Sequence, residues 1–347
     1  MTAHSPLRLK IDKQALVSNW QWLARMSGSA ACGAAVKANG YGIGALETVT
    51  HLAAAGCRDF FVATWAEAER LMPSIGNASL SVLNGLAEED VAHAAGSAAR
   101  PELNTPLQVV RWRERGRGRA CDVMIDTGMN RLGLSMQDVA DGVLDGLPIE
   151  TLMSHLSCAD EDVAANDRQR TDFAAVAQRV SAKRLSLANS AGICLGRDYA
   201  LDLTRPGIAL YGGIPRREAK DHIAQVVRLE AQIVQRRRVS PGASIGYNAT
   251  FTCERETEIA ILNLGYADGY LRAFSGRGQA RIGDAFAPVV GRVSMDLTAI
   301  AVDAAPELAE GDWVEIDFDL SRASAQSGLS PYELLTTLGT RFERIWA

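Results

Sequence analysis

The chemistry most legible in this chain belongs to one lysine. In Ala35-Val36-Lys37-Ala38-Asn39-Gly40-Tyr41-Gly42-Ile43-Gly44, Lys37 closes a short run of small and apolar residues. An amine in that setting is poorly solvated. Desolvation disfavours the ammonium form, and the neutral amine can condense with an aldehyde. Gly40, Gly42 and Gly44 permit a tight loop and close approach of backbone to a ligand. Taken alone, the segment reads equally well as a surface lysine ahead of a Gly-rich turn. The elements that carry it have to decide.

Lys37 is one of a series. Short apolar runs recur at Ala31–Lys37, Asp59–Thr64, Ser79–Asn84, Glu102–Asn104, Cys121–Asp126, Glu150–His155, Arg184–Asn189 and Leu201–Arg205. Helix-compatible stretches lie between them, at Gly44–Ala55, Trp65–Met72, Glu88–Ala98, Thr105–Glu114, Ser135–Leu144 and Asp160–Ala182. Eight strands alternating with helices predict a parallel sheet, and a closed (β/α)8 TIM-type barrel is its simplest form. A doubly wound sheet satisfies the alternation as well. Most runs end in polar residues, among them Lys37, Asn84, Asn104, Asp126, His155, Asn189 and Arg205. In a barrel those ends share one rim, where active sites form.

Beyond about Lys220 the alternation stops. Ile223–Val239, Glu256–Leu264, Gln279–Ile282, Val289–Ile300 and Trp313–Phe318 are β-rich and separated by Gly or Pro turns, and Tyr332–Leu338 is helix-compatible. The expected division is an N-terminal α/β barrel over 1–221 and a C-terminal mostly-β domain over 222–347, with the first residues free to pack with the latter.

Composition narrows the function classes. The 347 residues carry 36 Lys and Arg against 41 Asp and Glu, a formal net charge of −5, which does not suggest a nucleic-acid binder. No apolar run approaches the roughly 18 residues needed to span a bilayer, so no membrane partner is expected. Arg8, Lys10, Asp12 and Lys13 stand where a signal peptide needs an apolar stretch. The cysteines at 32, 57, 121, 158, 194 and 253 form no C-x-x-C pair. Reduced thiols in a cytoplasm are expected, without a disulfide framework or zinc site. No two of the five histidines are spaced H-x-H, which argues against a barrel metal hydrolase.

The lysine segment resembles the pyridoxal-phosphate lysine motif of the alanine racemase family. The likeness continues in order through Asp126-Thr127-Gly128-Met129-Asn130-Arg131-Leu132-Gly133, Ser154-His155-Leu156, Asn189-Ser190-Ala191 and Arg205-Pro206-Gly207-Ile208-Ala209-Leu210-Tyr211-Gly212. In the β-rich part it covers Gly246-Tyr247-Asn248-Ala249-Thr250, Gly265-Tyr266-Ala267-Asp268-Gly269, Gly291-Arg292-Val293-Ser294-Met295-Asp296 and Tyr332-Glu333. One such motif is weak; a collinear set over nearly the whole chain is specific.

The resemblance implies an alanine racemase that uses pyridoxal 5'-phosphate and either supplies D-alanine for peptidoglycan or catabolises it. Lys37 would hold the cofactor covalently and serve as base on one face of the substrate Cα, with Tyr247 as base on the other. A phenol is a poor base at neutral pH, so it needs positive neighbours; His155, hydrogen-bonded to Tyr247 and backed by Arg205, would meet that need. Arg205 would face the cofactor's ring nitrogen. Ser190, the N–H groups of Gly207 and Ile208, and the phenols of Tyr41 and Tyr332 would take the phosphate. Arg131 would contact the cofactor's phenolic oxygen or the substrate carboxylate, Met295 and Asp296 the substrate region, and Tyr266 and Arg292 would line the entry channel. The family's tyrosine reaches the lysine site from a partner subunit, which implies a homodimer with shared sites.

One departure stands out. Many members of that family carry a carbamylated lysine where this chain has Met124. A thioether cannot be carbamylated, so Arg131 needs another anchor: a bound anion, a neighbouring acid or a different rotamer. Three other readings compete with the alanine racemase one. A broader or serine-preferring racemase is the nearest, because a methylene or hydroxyl difference discriminates by only about 1–3 kcal/mol in a simple pocket. A related decarboxylase is disfavoured by Arg205, where those enzymes place an acid. A non-catalytic pyridoxal-phosphate homeostasis protein would need no β domain.

Overall fold

Apolar runs that alternate with helices can bury both sheet faces by curling the sheet on itself. The computed structural model, which describes residues 4–347, contains such a sheet. It divides into two units, one spanning Ala15–Ala224 and one combining the chain up to Gln14 with Gln225–Ala347.

In the first unit the strands Ala34–Ala35, Asp59–Val62, Ser79–Val82, Arg100–Leu103, Cys121–Met124, Ile149–Met153 and Ala182–Ser186 pair in parallel, in chain order. Leu203–Thr204 pairs in parallel with Ala31–Cys32. On its other side the Asp202 N–H donates to the Leu185 carbonyl at 3.1 Å and the Arg205 N–H to that of Ala188 at 2.8 Å. Those bonds close the ring into an eight-stranded barrel. The sequence-read strands all fall on it, the run at Glu102–Asn104 within or beside Arg100–Leu103.

The helices begin where side chains can take the first N–H groups. Thr64 caps Trp65–Leu71, Thr105 caps Pro106–Arg115, and Ser135 caps Met136–Ala140. The barrel interior is not wholly apolar. Asp59 is held by Arg184 at 2.8 and 3.1 Å and by Ser79 at 2.7 Å. Asp122 is held by Ser81 at 2.5 Å and Arg100 at 3.2 Å. Pairing makes these buried carboxylates tolerable; removing one partner of such a pair typically costs about 3–5 kcal/mol.

The second unit is a mainly antiparallel sheet. Thr257–Leu262, Thr298–Ala301, Ala285–Val290, Gln279–Ile282, Trp313–Ile316 and Val227–Val239 follow one another by pairing, and Val227–Val239 pairs back onto Thr257–Leu262. One 13-residue strand can serve two neighbours because its register shifts between Ile233 and Gln235. Leu7–Ile11 joins this sheet between Val227–Val239 and Glu343–Trp346. The continuous run expected at Val289–Ile300 is instead two strands, because Gly291 turns the chain at φ 71° and residues 291–297 form a loop. That loop carries Met295 and Asp296.

Candidate active site

Lys37 lies just beyond the strand Ala34–Ala35, at the mouth of the barrel. The chain after it is not an ordinary helix. Ala38, Asn39, Gly40, Tyr41 and Gly42 have φ of 52°, 53°, 62°, 53° and 88°, a left-handed turn that non-glycine residues adopt only when the surroundings enforce it. Glu67 supplies part of that enforcement. Its carboxylate accepts from the Ala38 N–H at 2.6 Å and the Ala63 N–H at 2.7 Å while it completes the capping box with Thr64. The Asn39 side chain accepts from the Ala45 N–H at 3.1 Å. Burial, and then the charge of Arg131, hold the Lys37 amine below the usual lysine range, although Glu102 and Glu67 pull it back up.

Arg205 follows the last barrel strand and is 7% exposed. Its guanidinium donates to the Ser186 hydroxyl and, at 2.6 Å, to the Ser154 carbonyl. Asp202, the nearest acid in sequence, accepts instead from the Leu185 N–H at 2.8 Å. Burial lowers Arg205 to about 10, with Glu102 and Asp122 opposing, so it remains charged at neutral pH. Burial, and then Arg205, Arg131 and Lys37, hold the His155 imidazole down at about 3. A neutral imidazole can take part in a hydrogen bond with a phenol but brings no positive charge; that must come from Arg205.

Arg131 sits on the loop after Cys121–Met124. The Asp126 carboxylate gathers the N–H groups of Gly128, Met129, Asn130 and Arg131 at 2.8 to 3.2 Å. Asp126 thus fixes the loop, whereas the Arg131 side chain is exposed. Ser190 follows Asn189, whose side chain caps the short helix Ser190–Cys194. That leaves the Ser190 hydroxyl to accept from the Gly207 N–H at 2.8 Å and the Ala209 N–H at 3.3 Å, tying the seventh and eighth strand ends together. Ile208 is buried in the next turn. The Tyr41 ring stacks on Tyr211 with centroids 4.5 Å apart. A Cβ on Gly207 would stand 2.2 Å from the Tyr41 hydroxyl, so the phenol lies against that backbone.

The second unit gathers its own set. Tyr247 is 65% exposed and follows Gly246, at φ 77°; a Cβ on that glycine would stand 3.2 Å from the Arg292 nitrogen. The Tyr266 N–H donates to the Ser294 carbonyl and the Ala267 N–H to that of Met295, both at 3.0 Å. Gly265 is obligatory there, because its Cβ would stand 2.2 Å from the Met295 carbonyl oxygen. Asp296 accepts from Arg341 at 2.7 Å, and Arg341 also grips the buried Asp268 at 2.5 and 2.8 Å. Tyr247, Tyr266, Arg292, Met295 and Asp296 are therefore carried by linked loops. Tyr332 lies near the start of the helix Pro331–Thr336.

The family model described as the alanine racemase N-terminal domain matches residues 11–215, and that described as the alanine racemase C-terminal domain matches 226–346. The chain belongs to the alanine racemase family. It is 42% identical to an alanine racemase of Acidiphilium cryptum, over 97% of this chain and 98% of that one. It is 41% identical to an alanine racemase of Methylobacterium sp., over 100% of both chains. The structure superposes on the alanine racemase of Bartonella henselae with covalently bound pyridoxal phosphate at a TM-score of 0.93, with 33% identity, covering 99% of this chain and 100% of that one.

Within this alanine racemase fold, sequence reasoning passed over Glu67, Asp126 as an organiser of its loop, and Glu102. Glu102 had a visible signal. A parallel barrel strand is buried on both faces, so an acid inside Arg100–Leu103 cannot be an ordinary surface residue.

Proposed function

We propose that this protein interconverts L- and D-alanine with pyridoxal 5'-phosphate as cofactor, acting as a cytoplasmic homodimer with shared active sites. The observation that carries the reading is Lys37: a desolvated amine at the barrel mouth, beside the cations Arg131 and Arg205 and a neutral His155. The donor set fits the cofactor. An amine held below the usual lysine range suits its aldehyde, and the Ser190 hydroxyl, the Gly207 and Ile208 N–H groups and the phenols of Tyr41 and Tyr332 would suit its phosphate. The tight seat of Tyr41 against Gly207 forms one wall of that cradle.

When bound, the cofactor withdraws electrons from the substrate Cα and so acidifies its proton. The neutral Lys37 amine would take that proton, or its ammonium return it, on one face, and the phenolate of the partner subunit's Tyr247 would take it, or its hydroxyl return it, on the other, as a two-base racemisation requires. Arg205 has no hydrogen-bond acceptor, so a ring nitrogen facing it would stay unprotonated, which favours return of the proton to Cα. Arg131 and the Met295–Asp296 loop would orient the substrate, and Tyr266 with Arg292 would line its approach. The exposure of Tyr247, Met295 and Leu297 supports a partner surface. The six unpaired cysteines support a reducing compartment.

The deciding experiment is to assay purified protein for interconversion of enantiomers over a panel that includes alanine and serine. Alanine should turn over fastest. Racemisation of serine with none of alanine would redirect the assignment. A second expectation concerns the cradle. Gly207→Ala should push the Tyr41 phenol aside and weaken retention of pyridoxal phosphate by about tenfold or more, since 1.4 kcal/mol suffices for that factor. Some loss of thermal stability should accompany it, because the Tyr41 ring is buried and stacked on Tyr211. The titration is therefore read on protein shown by circular dichroism to be folded. Unchanged affinity in a dialysis titration would remove Tyr41 from the cofactor site.

A further inference from the structure

The helix Ala164–Ala177, which follows the strand Ile149–Met153, is expected to face the sheet with apolar side chains. Its buried positions are Asn166, Gln169, Phe173 and Val176, three or four residues apart on one face. Only the last two are apolar. A buried amide is costly unless its donors and acceptors find partners, and Gln169, 3% exposed, finds all of them. Its Oε1 accepts from the Ser157 N–H at 2.9 Å and the Ser157 hydroxyl at 3.0 Å. Its Nε2 donates to the His155 carbonyl at 3.0 Å and the Thr127 hydroxyl at 3.3 Å. The Ser157 N–H can only donate and the His155 carbonyl only accept, so the amide has a single orientation.

A one-way chain continues from it. The buried Ser154 hydroxyl donates to the Ile125 carbonyl at 2.8 Å, which commits its one hydrogen. The Thr127 hydroxyl, 2.8 Å away, must therefore donate to Ser154 and can only accept from Gln169. These groups belong to the rim. Thr127 lies in the loop that Asp126 gathers and that carries Arg131. The Gly128 backbone passes over the Gln169 stem, since a Cβ on Gly128 would stand 3.9 Å from the Gln169 Cγ. His155 follows Ser154, whose carbonyl accepts from Arg205 at 2.6 Å. One amide on an outer helix thus joins the strand ends that carry Arg131 and His155.

Building on the proposed racemase reading, we infer that Gln169 is a positioning residue that ties the Arg131 loop to the His155 strand end and keeps the two groups in one relative placement. It acts through the Thr127 hydroxyl and the His155 carbonyl. Met124 cannot hold Arg131 as a carbamylated lysine would, so the loop beneath that arginine is fixed through its own residues: Asp126 takes the N–H groups and Gln169 takes Thr127. A closed polar network is worth most when every bond is made, and a misplacement of about 1 Å at a reacting group can cost about 10²-fold. His155 stands behind Tyr247 in the two-base scheme, so a broken tie should tell most on the tyrosine's side of Cα.

The test measures Cα deuterium exchange from L- and D-alanine in the holoenzyme and takes the ratio of the two rates, with circular dichroism as the check on folding. Gln169→Leu keeps the volume and deletes all four bonds. It should shift the ratio by about tenfold or more against the enantiomer whose proton Tyr247 takes, identified with Tyr247→Phe. Loss of active protein slows both enantiomers alike and leaves the ratio unmoved. Thr127→Val removes one hydroxyl, should shift the ratio the same way, and decides the matter if Gln169→Leu does not fold. Thr127→Ser keeps the hydroxyl and should bring the ratio back toward wild type. An unmoved ratio in either folded variant would overturn the inference, as would a Thr127→Ser ratio displaced as far as that of Thr127→Val. If wild-type protein exchanges no alanine proton, the racemase reading fails separately. Amide hydrogen exchange by mass spectrometry then decides the tie. Residues 126–133 and 154–158 should exchange about tenfold faster in Thr127→Val than in Thr127→Ser, and equal rates would sink it.

Discussion

Lys37→Ala protein is expected to purify without the absorbance of a lysine-bound pyridoxal phosphate and to racemise alanine at least about 10⁴-fold more slowly than wild type. Both effects have one origin. In the proposed mechanism the amine both condenses with the cofactor's aldehyde and serves as the base on one face of Cα, so its loss removes both roles at once. The fold should survive, because the variant removes a desolvated cation that Arg131 and Arg205 both disfavour. Circular dichroism should therefore match wild type while the visible spectrum and the alanine assay do not. An unchanged chromophore would reject Lys37 as the cofactor lysine.

Tyr247→Phe should leave the chromophore intact, since it deletes one oxygen from a side chain on the other unit. Its effect on racemisation needs a careful readout. L- and D-alanine have equal free energies, so net conversion must slow equally in both directions whichever base is lost. Exchange of the Cα proton with deuterated solvent separates the faces. We expect exchange from one enantiomer to fall by about 10²–10⁴-fold, the usual worth of a general base, and exchange from the other to stay near wild type. Equal slowing of both would remove Tyr247 from the role. The two variants also test site sharing. Mixed in equal amounts, half the dimers should be hybrids, each with one intact site, so activity should recover to about a quarter of wild type. No recovery with hybrids confirmed would count against a tyrosine donated across subunits.

Much of the fold was legible because it rests on local rules. The strand ends at Lys37, Asp126, His155 and Arg205 mark where apolar runs give way to polar residues, and a parallel barrel places such ends on one rim. Thr64, Thr105 and Ser135 announce helix starts through their own hydroxyls. Other features were not local. The split of Val289–Ile300 turned on Gly291, because a β-rich composition says nothing about where the chain reverses. The first strand, Leu7–Ile11, is completed by partners more than two hundred residues away. Ser190 stands in the sequence as a phosphate donor, yet in the fold Asn189 caps its helix and the Ser190 hydroxyl accepts from Gly207.

The sequence by itself determined the family, the order of barrel and β domain, and which side chains stand at the strand ends, because period, turn residues and motif order are written along the chain. Tertiary structure decided the electrostatics. Whether Lys37 is depressed, His155 neutral or Glu102 unpartnered depends on which charges converge and how little water reaches them. Those are properties of the enclosure rather than of the residue. Asp122 and Glu102 are both acids inside barrel strands, yet one has Arg100 at 3.2 Å and the other has an oxygen with no hydrogen bond. That difference exists only in the folded barrel, where the partners of each acid are set.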